Sequence, residues 1–470
     1  MTRDAPEDRF PGLLAAAAMG VYLLLLAGAT TAVTDAASAC AAWPACGDGW
    51  TLPTTAAGGL AFGHRLAAVL VGLLVAFVTL AAWRSDRSRR VRTAVTVAAL
   101  LYPVQAALGA VVAVSPTSAA LSGAHLLVGL AIFGGLVAAL AWTLERATGD
   151  PDDAPAVGPD DLDPDLPPAE AVERPPVPEG GLARLRATVG AYVRLTKPRL
   201  MWLLCLVAGA AMALAGGSGL SPRVVAATLG GGVLAIGASG TFNHVFERDV
   251  DRRMSRTSDR PLAVDLVPVS HAVAFGLALA LASLVLFASV NLLAAVLGLA
   301  AIVFYSVVYT LLLKPNTVQN TVIGGAAGAL PALIGWAAVT GRVGAGGLAL
   351  AAVVFLWTPA HFYNLALAYR DDYARGGFPM MPVVRGETET RKHILWYLGA
   401  TLAAAGALAL ADGLDVLYVA TSVVLGAVFL VAVVRLHYER TEDAAFRAFH
   451  ASNAYLGALL LAVVVDALAV

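Results

Sequence analysis

Apolar runs recur along this chain, separated by short polar stretches. Each holds about twenty residues, enough to cross a hydrocarbon core about 30 Å thick. The first four run over 12–34, 61–83, 93–114 and 121–144. Nine more follow at 198–217, 223–243, 270–288, 290–312, 318–339, 345–365, 393–411, 414–434 and 452–470. The pattern predicts an all-α polytopic membrane protein, a four-helix transmembrane bundle followed by a nine-helix bundle. Between the two groups lies GDPDDAPAVGPDDLDPDLPPAEAVERPPVPEGG, dense in Asp, Glu and Pro and poor in large apolar residues. Such a stretch cannot bury a core and is expected to be a disordered linker. The expected domains are therefore residues 1–147 and 189–470, with residues 148–188 as the linker.

Composition and charge sharpen this picture. The chain is 59% hydrophobic and only 13% charged, with a net charge of −1. A soluble fold is excluded, and no nucleic-acid partner is expected. Arginine sets the orientation. The loop RSDRSRRVR belongs on the cytoplasmic side, whereas residues 35–60 carry no Lys or Arg and fit the outside. Four spans followed by nine place Arg248–Arg260, Lys314, Arg370–Lys392 and Arg435–Arg447 on that same cytoplasmic side, with the N-terminus. The opening MTRDAPEDRFPG carries acids, and the apolar run after it is too long for a typical signal-peptide core. A multi-pass protein of the cell membrane is expected, its N-terminus retained.

One stretch breaks the apolar pattern with chemistry: NHVFERDVDRRMSRTSDRPL, residues 243–262. Asn243, Glu247 and Asp251 are spaced i, i+4, i+8 and share one helical face; Asp249 points elsewhere. Acids at the end of a span are costly and mark function. Hard oxygen ligands of this kind suit Mg²⁺ shared with substrate phosphates. Arg252, Arg253, Arg256 and Arg260 follow and can clamp phosphate oxygens. The bland alternative is a charged loop whose arginines only set topology. A second stretch, WTPAHFYNLALAYRDDYARGGFPMMPVVRG, ends another span on the same side. It offers His361, Arg370, Asp371, Asp372 and Tyr373. Two acidic clusters on one membrane face can hold a metal-bridged diphosphate and stabilise it as a leaving group.

With RLTKPRLMWL and YTLLLKPNTVQNTVIGGAAGALPALIGW, these stretches make residues 192–470 resemble the UbiA superfamily of intramembrane prenyltransferases. His361 and the later PMMPV resemble its haem O-forming branch, which farnesylates protohaem IX. The resemblance implies nine helices around a cavity, with farnesyl diphosphate and protohaem as substrates. It implies Mg²⁺ held by Asn243, Glu247, Asp251 and Asp372, with Asp249 and Asp371 as further catalytic acids. Lys314, Arg256, Arg260, His361 and Arg370 become substrate-binding residues. Two departures stand out. Glu247 takes a position that is usually Asp, and Ala368 takes the first acid of the second motif. His361 has two readings, a contact to haem or a hydrogen-bonded interfacial histidine. A quinone or lipid acceptor is the alternative substrate.

In the first four spans, His64 and His125 enter from the outer face at matched depth. Two neutral imidazoles on alternate helices of a four-helix bundle can ligate one haem iron. Cys40 and Cys46, in CAAWPAC, lie in the outer loop, where oxidation is favoured, so a disulfide is expected. With GHRLAAVLVG, YPVQAALGAVV and GAHLLVGL, residues 12–144 resemble half of the haem A synthase family (the CtaA/COX15 type). The resemblance implies a module binding haem, b-type or haem O. Ala61 stands where the catalytic half of that family has Glu. A complete site would need a second copy, as in a homo-oligomer.

Overall fold

The structure is a computed structural model. It describes residues 8–34, 36–40, 42–46, 52–114, 119–150, 153, 176, 180–410 and 414–469. Most of the expected linker lies outside the described residues. Among the described residues there are helices and no strand. Among the described residues twelve helices are long and apolar enough to cross a membrane, and the protein is an all-α, multi-pass membrane protein. The thirteenth expected span falls in α15, Gly386–Leu408. Its opening turns carry Glu387, Glu389, Arg391, Lys392 and His393, which leave too short an apolar stretch to count among the twelve.

The chain forms two compact units. The first comprises residues 1–150 and 391–440. It contains α1 (Phe10–Val33), α2 (Ala56–Arg84), α3 (Arg89–Val114) and α4 (Ala119–Thr148), with most of α15 and with α16 (Val416–Glu439). Residues 391–440, expected within residues 189–470, make contacts with α1–α4 in this unit. α1 and α4 both pack on α16, and Tyr22 lies 2.5 Å from Ser422 through their hydroxyls, both buried. Leu14, Leu26, Phe133, Leu136 and Leu140 fill the interior. α2 turns Leu66, Leu70, Leu73 and Phe77 outward, the reversed polarity expected where the solvent is lipid. Thr55 caps α2, its hydroxyl accepting from the Gly58 amide at 3.1 Å.

The second unit comprises residues 151–390 and 441–470. α5 (Gly181–Leu195) shows that residues 181–188, expected in the linker, are helical. The membrane helices are α6 (Pro198–Ala215), α7 (Pro222–Phe246), α9 (Val269–Val290), α10 (Leu292–Val303), α11 (Asn320–Thr340), α12 (Ala345–Ala368) and α17 (Glu442–Ala469). α8 (Arg248–Asp251), α13 (Arg370–Arg375) and α14 (Met381–Val384) are short turns at their ends. α6 packs on α11 so closely that a Cβ on Gly335 would lie 2.3 Å from the Ala208 carbonyl oxygen. Only glycine permits that contact.

Two local features aim side chains. α10 continues as a π-helix over Phe304–Leu313, and the Lys314 amide donates five residues back to the Tyr309 carbonyl at 2.8 Å. Single π segments often mark functional positions. Between α5 and α6, Lys197 adopts a left-handed backbone with φ 52°. A non-glycine residue there carries a strain of about 1–2 kcal/mol, which survives only where surrounding contacts impose it.

Candidate active site

The acid stripe forms as the spacing requires. The Glu247 amide donates to the Asn243 carbonyl at 2.9 Å, and the Asp251 amide to the Glu247 carbonyl at 2.7 Å. Helical register thus runs from α7 through α8, and all three side chains are buried. Each meets a cation from elsewhere in the chain. Lys197 donates through Nζ to Asn243 Oδ1 and, at 3.4 Å, to the Tyr305 hydroxyl. Lys314 Nζ donates to Glu247 Oε1 at 2.5 Å. Arg260 Nη1 reaches both Asp251 oxygens, at 2.7 and 2.8 Å, and lies 3.7 Å from Glu247 Oε2. The π segment also turns Thr310 inward, where its Oγ1 accepts from Asn243 Nδ2 at 3.2 Å.

Charge in this cluster is tightly matched. Burial works to raise the Glu247 carboxyl, but Lys314, Lys197 and Arg260 outweigh it and hold it below its ordinary range. Burial dominates at Asp251 and pushes its carboxyl up despite Arg260. Burial, with Arg260 and Lys314 nearby, pulls the Lys197 ammonium down to about 7. Three basic side chains face two carboxylates, a balance that favours an incoming anion. Among the described residues no three Asp, Glu, His or Cys groups converge as a ready-made metal cage. Two carboxylates and an amide oxygen are a partial shell. That donor set fits Mg²⁺, which takes one or two carboxylates and completes its shell with water and substrate phosphate.

The other nominated residues divide. Asp249 is 88% exposed and touches only Arg248 and Arg252, at 4.0 Å. Asp371 is exposed, and Arg370 turns to Glu387 at 3.4 Å. Arg256 stays close to the cluster: its guanidinium lies over Tyr369 and Tyr373 and donates to the Tyr373 hydroxyl at 3.3 Å. Asp372 is buried, but its oxygens face the main chain of residues 255–256. His361 is sandwiched between Trp357 and Phe449, ring centroids 4.2 and 4.3 Å away. Its Nδ1 lies 2.7 Å from Ser452 Oγ. Ser452 spends its own hydrogen on the Phe449 carbonyl, so Nδ1 donates and Nε2 keeps a lone pair. Sequence reasoning named neither Lys197 nor Tyr305; the only signal was a lysine before proline at the mouth of a span.

In the first unit, His64 on α2 and His125 on α4 each face a glycine of a neighbouring helix. A Cβ on Gly28 of α1 would stand 3.4 Å from His64 Cε1, and one on Gly109 of α3 would stand 3.0 Å from His125 Cε1. Both Nδ1 atoms are buried without a partner among the described residues, and Gln105 Nε2 lies 3.3 Å from His125 Nε2. Cys40 and Cys46 are disulfide-bonded. Arg65, the neighbour of His64, donates into their loop: to the Cys40 carbonyl at 2.8 Å and to those of Ala42 and Ala45 at 2.7 Å.

Membrane spans that end in buried acids paired with cations suit a substrate with an anionic head and an apolar tail, the setting of an intramembrane transferase. Residues 202–456 match the UbiA prenyltransferase family, and residues 1–137 and 54–159 match the family described as Cytochrome oxidase assembly protein. A Protoheme IX farnesyltransferase of Haloquadratum walsbyi is 63% identical over 98% of this chain and 97% of its own. Another, of Haloarcula marismortui, is 63% identical over 99% of this chain and 100% of its own. A solved structure of digeranylgeranylglyceryl phosphate synthase covers 60% of this chain and 99% of its own, at TM-score 0.50 and 15% identity. It shares the fold. The chain belongs to the UbiA prenyltransferase family, in the branch of these protoheme IX farnesyltransferases.

Proposed function

We propose that the protein transfers a farnesyl group from farnesyl diphosphate to a vinyl group of protohaem IX, forming haem O for terminal oxidases. The observation that carries this is the pairing of Asn243, Glu247 and Asp251 with Lys197, Lys314 and Arg260 at the end of a membrane span. The three acid-stripe residues would hold Mg²⁺, which supplies charge neutralisation to the diphosphate. Lys314, Arg260 and Lys197 stand where negative charge grows as the allylic C–O bond breaks and its electron pair leaves with the diphosphate. The vinyl carbon then forms the new C–C bond. Water adds its oxygen to the cation left on the porphyrin side and loses a proton, giving a hydroxyethylfarnesyl chain. His361 Nε2, with its lone pair, is suited to a haem contact. The basic loops support a site facing the cytoplasm across the cell membrane.

For the first unit the proposal is haem binding between His64 and His125. The two half-buried imidazoles and the glycine seats beside them support this reading; Gln105, whose amide lies against His125 Nε2, would turn aside for that nitrogen to ligate. The bound haem is b-type or haem O, and a homo-oligomer through this unit would supply the second half that longer relatives of this type carry. The test is to extract haems from a host expressing the protein alone and resolve them by chromatography and mass. Haem O from the wild type and none from Asp251→Ala is the expected result. Protohaem alone, from folded protein with farnesyl diphosphate present, would overturn it and point to a quinone or lipid acceptor.

A further inference from the structure

Asp372 differs from the other buried acids in what holds it. Oδ1 accepts from the Ser255 amide at 2.9 Å and from Arg375 Nη2 at 2.6 Å; Oδ2 accepts from the Arg256 amide at 2.8 Å. Arg375 Nη2 also donates to Ser255 Oγ at 3.2 Å. Glu247 and Asp251 meet the tips of long basic side chains, which can swing aside when a metal–diphosphate arrives. Asp372 meets two main-chain N–H groups, which cannot leave without unfolding their loop. Burial works to raise the Asp372 carboxyl, but Arg375 and the two amides outweigh it and hold it below its usual range. It is a carboxylate at neutral pH, and three hydrogen bonds engage both of its oxygens.

The loop it holds carries two of the site's cations. Arg256 carries one of the two bonded amides, and its side chain is seated on Tyr369 and Tyr373. Arg260 lies four residues on and reaches Asp251 and Glu247. We propose that Asp372 is a positioning residue and not a metal ligand: it clasps the 255–256 backbone, and so fixes Arg256 and Arg260 beside the acid stripe. The inference rests on the reading of that stripe as a prenyl diphosphate site. It agrees with the absence, among the described residues, of a third acid converging on Glu247 and Asp251.

The experiment uses the full-length protein in lipid nanodiscs, with Mn²⁺ and farnesyl thiolodiphosphate, which resists ionisation. Electron paramagnetic resonance counts bound Mn²⁺, and calorimetry measures affinity for the analogue. Asp372→Asn is expected to keep the wild-type number of Mn²⁺ ions. Its affinity for the analogue should fall roughly 10- to 100-fold, the factor that goes with losing a charge-assisted hydrogen bond. Amide hydrogen exchange at Ser255 and Arg256 should quicken. Arg375→Met should act in the same direction. Loss of one Mn²⁺ per chain in Asp372→Asn would overturn the proposal. So would tighter Mn²⁺ binding in Arg375→Met, since a metal ligand freed from its competing guanidinium must bind better. If Asp372→Asn does not fold, Arg375→Met decides alone, because the two roles predict opposite signs. A wild type that binds neither Mn²⁺ nor the analogue would remove the underlying reading, and the clasp with it.

Discussion

Lys314 Nζ lies 2.5 Å from Glu247 Oε1, with the two side chains only 11% and 7% exposed. The lysine comes from the end of the π segment and the glutamate from the end of α7, so the pair ties two membrane helices at their mouths. Removing Lys314 leaves Glu247 buried with Arg260 at 3.7 Å as its remaining near cation, at a cost approaching the about 3–5 kcal/mol of a stranded buried charge. Lys314→Met should therefore lower thermal stability clearly. The double change Lys314→Met/Glu247→Gln should recover most of it, because no charge is stranded, and should still make no haem O. Melting curves in detergent alongside haem extraction check both halves. A stable single variant would mean that the pair is not buried as described.

Asp251 accepts from Arg260 through both oxygens. Asp251→Asn keeps the shape and loses the charge that a hard cation needs. Mn²⁺ affinity in the presence of the thiolodiphosphate should fall by at least about tenfold, and haem O should fall to background. In the wild type, chelation should stop turnover and added Mg²⁺ should restore it. Unchanged Mn²⁺ binding in Asp251→Asn would exclude Asp251 from the metal shell.

The histidine pair makes a separate prediction through glycine. A methyl at Gly109 would already stand 3.0 Å from His125 Cε1, tighter than ordinary van der Waals contact. Gly109→Val should displace the ring and reduce haem retained by the purified protein, as His125→Ala does. Gly123→Val on α4 meets open space and serves as the control. The readout is the low-spin haem absorption per mole of protein. Full retention in the His64→Ala/His125→Ala double variant would sink bis-histidine ligation.

Legibility in the sequence followed range. The stripe of Asn243, Glu247 and Asp251 could be read because helical period fixes a face within eight residues. The same period put Asp249 off that face, where it stands in solvent. The partners of the stripe lie far away, Lys197 46 residues before Asn243 and Lys314 67 residues after Glu247. Only tertiary packing joins them, and nothing in the apolar pattern announces the π turn that aims Lys314. The sequence nominated Asp372 as a site acid but offered no sign of the direction of its carboxylate, because its partners are main-chain amides that every sequence offers. An apolar run states that a helix wants lipid or protein around it, not which helix it will choose.

Lys197 sets stability against function. Its left-handed φ of 52° is strained for any residue with a Cβ, and its ammonium is drawn out of water to reach Asn243 and Tyr305. Lys197→Gly relieves the strain and removes the buried charge; Lys197→Met removes the charge and keeps the strain. The glycine variant should therefore be the more stable of the two, by about 1 kcal/mol. Both should lose affinity for the thiolodiphosphate by roughly tenfold, since the cation facing Asn243 is gone from each. Paired melting curves and calorimetry decide the matter. If Lys197→Gly melts below Lys197→Met, the backbone at this joint is not strained. If either variant binds the analogue like the wild type, the ammonium serves the fold rather than the diphosphate.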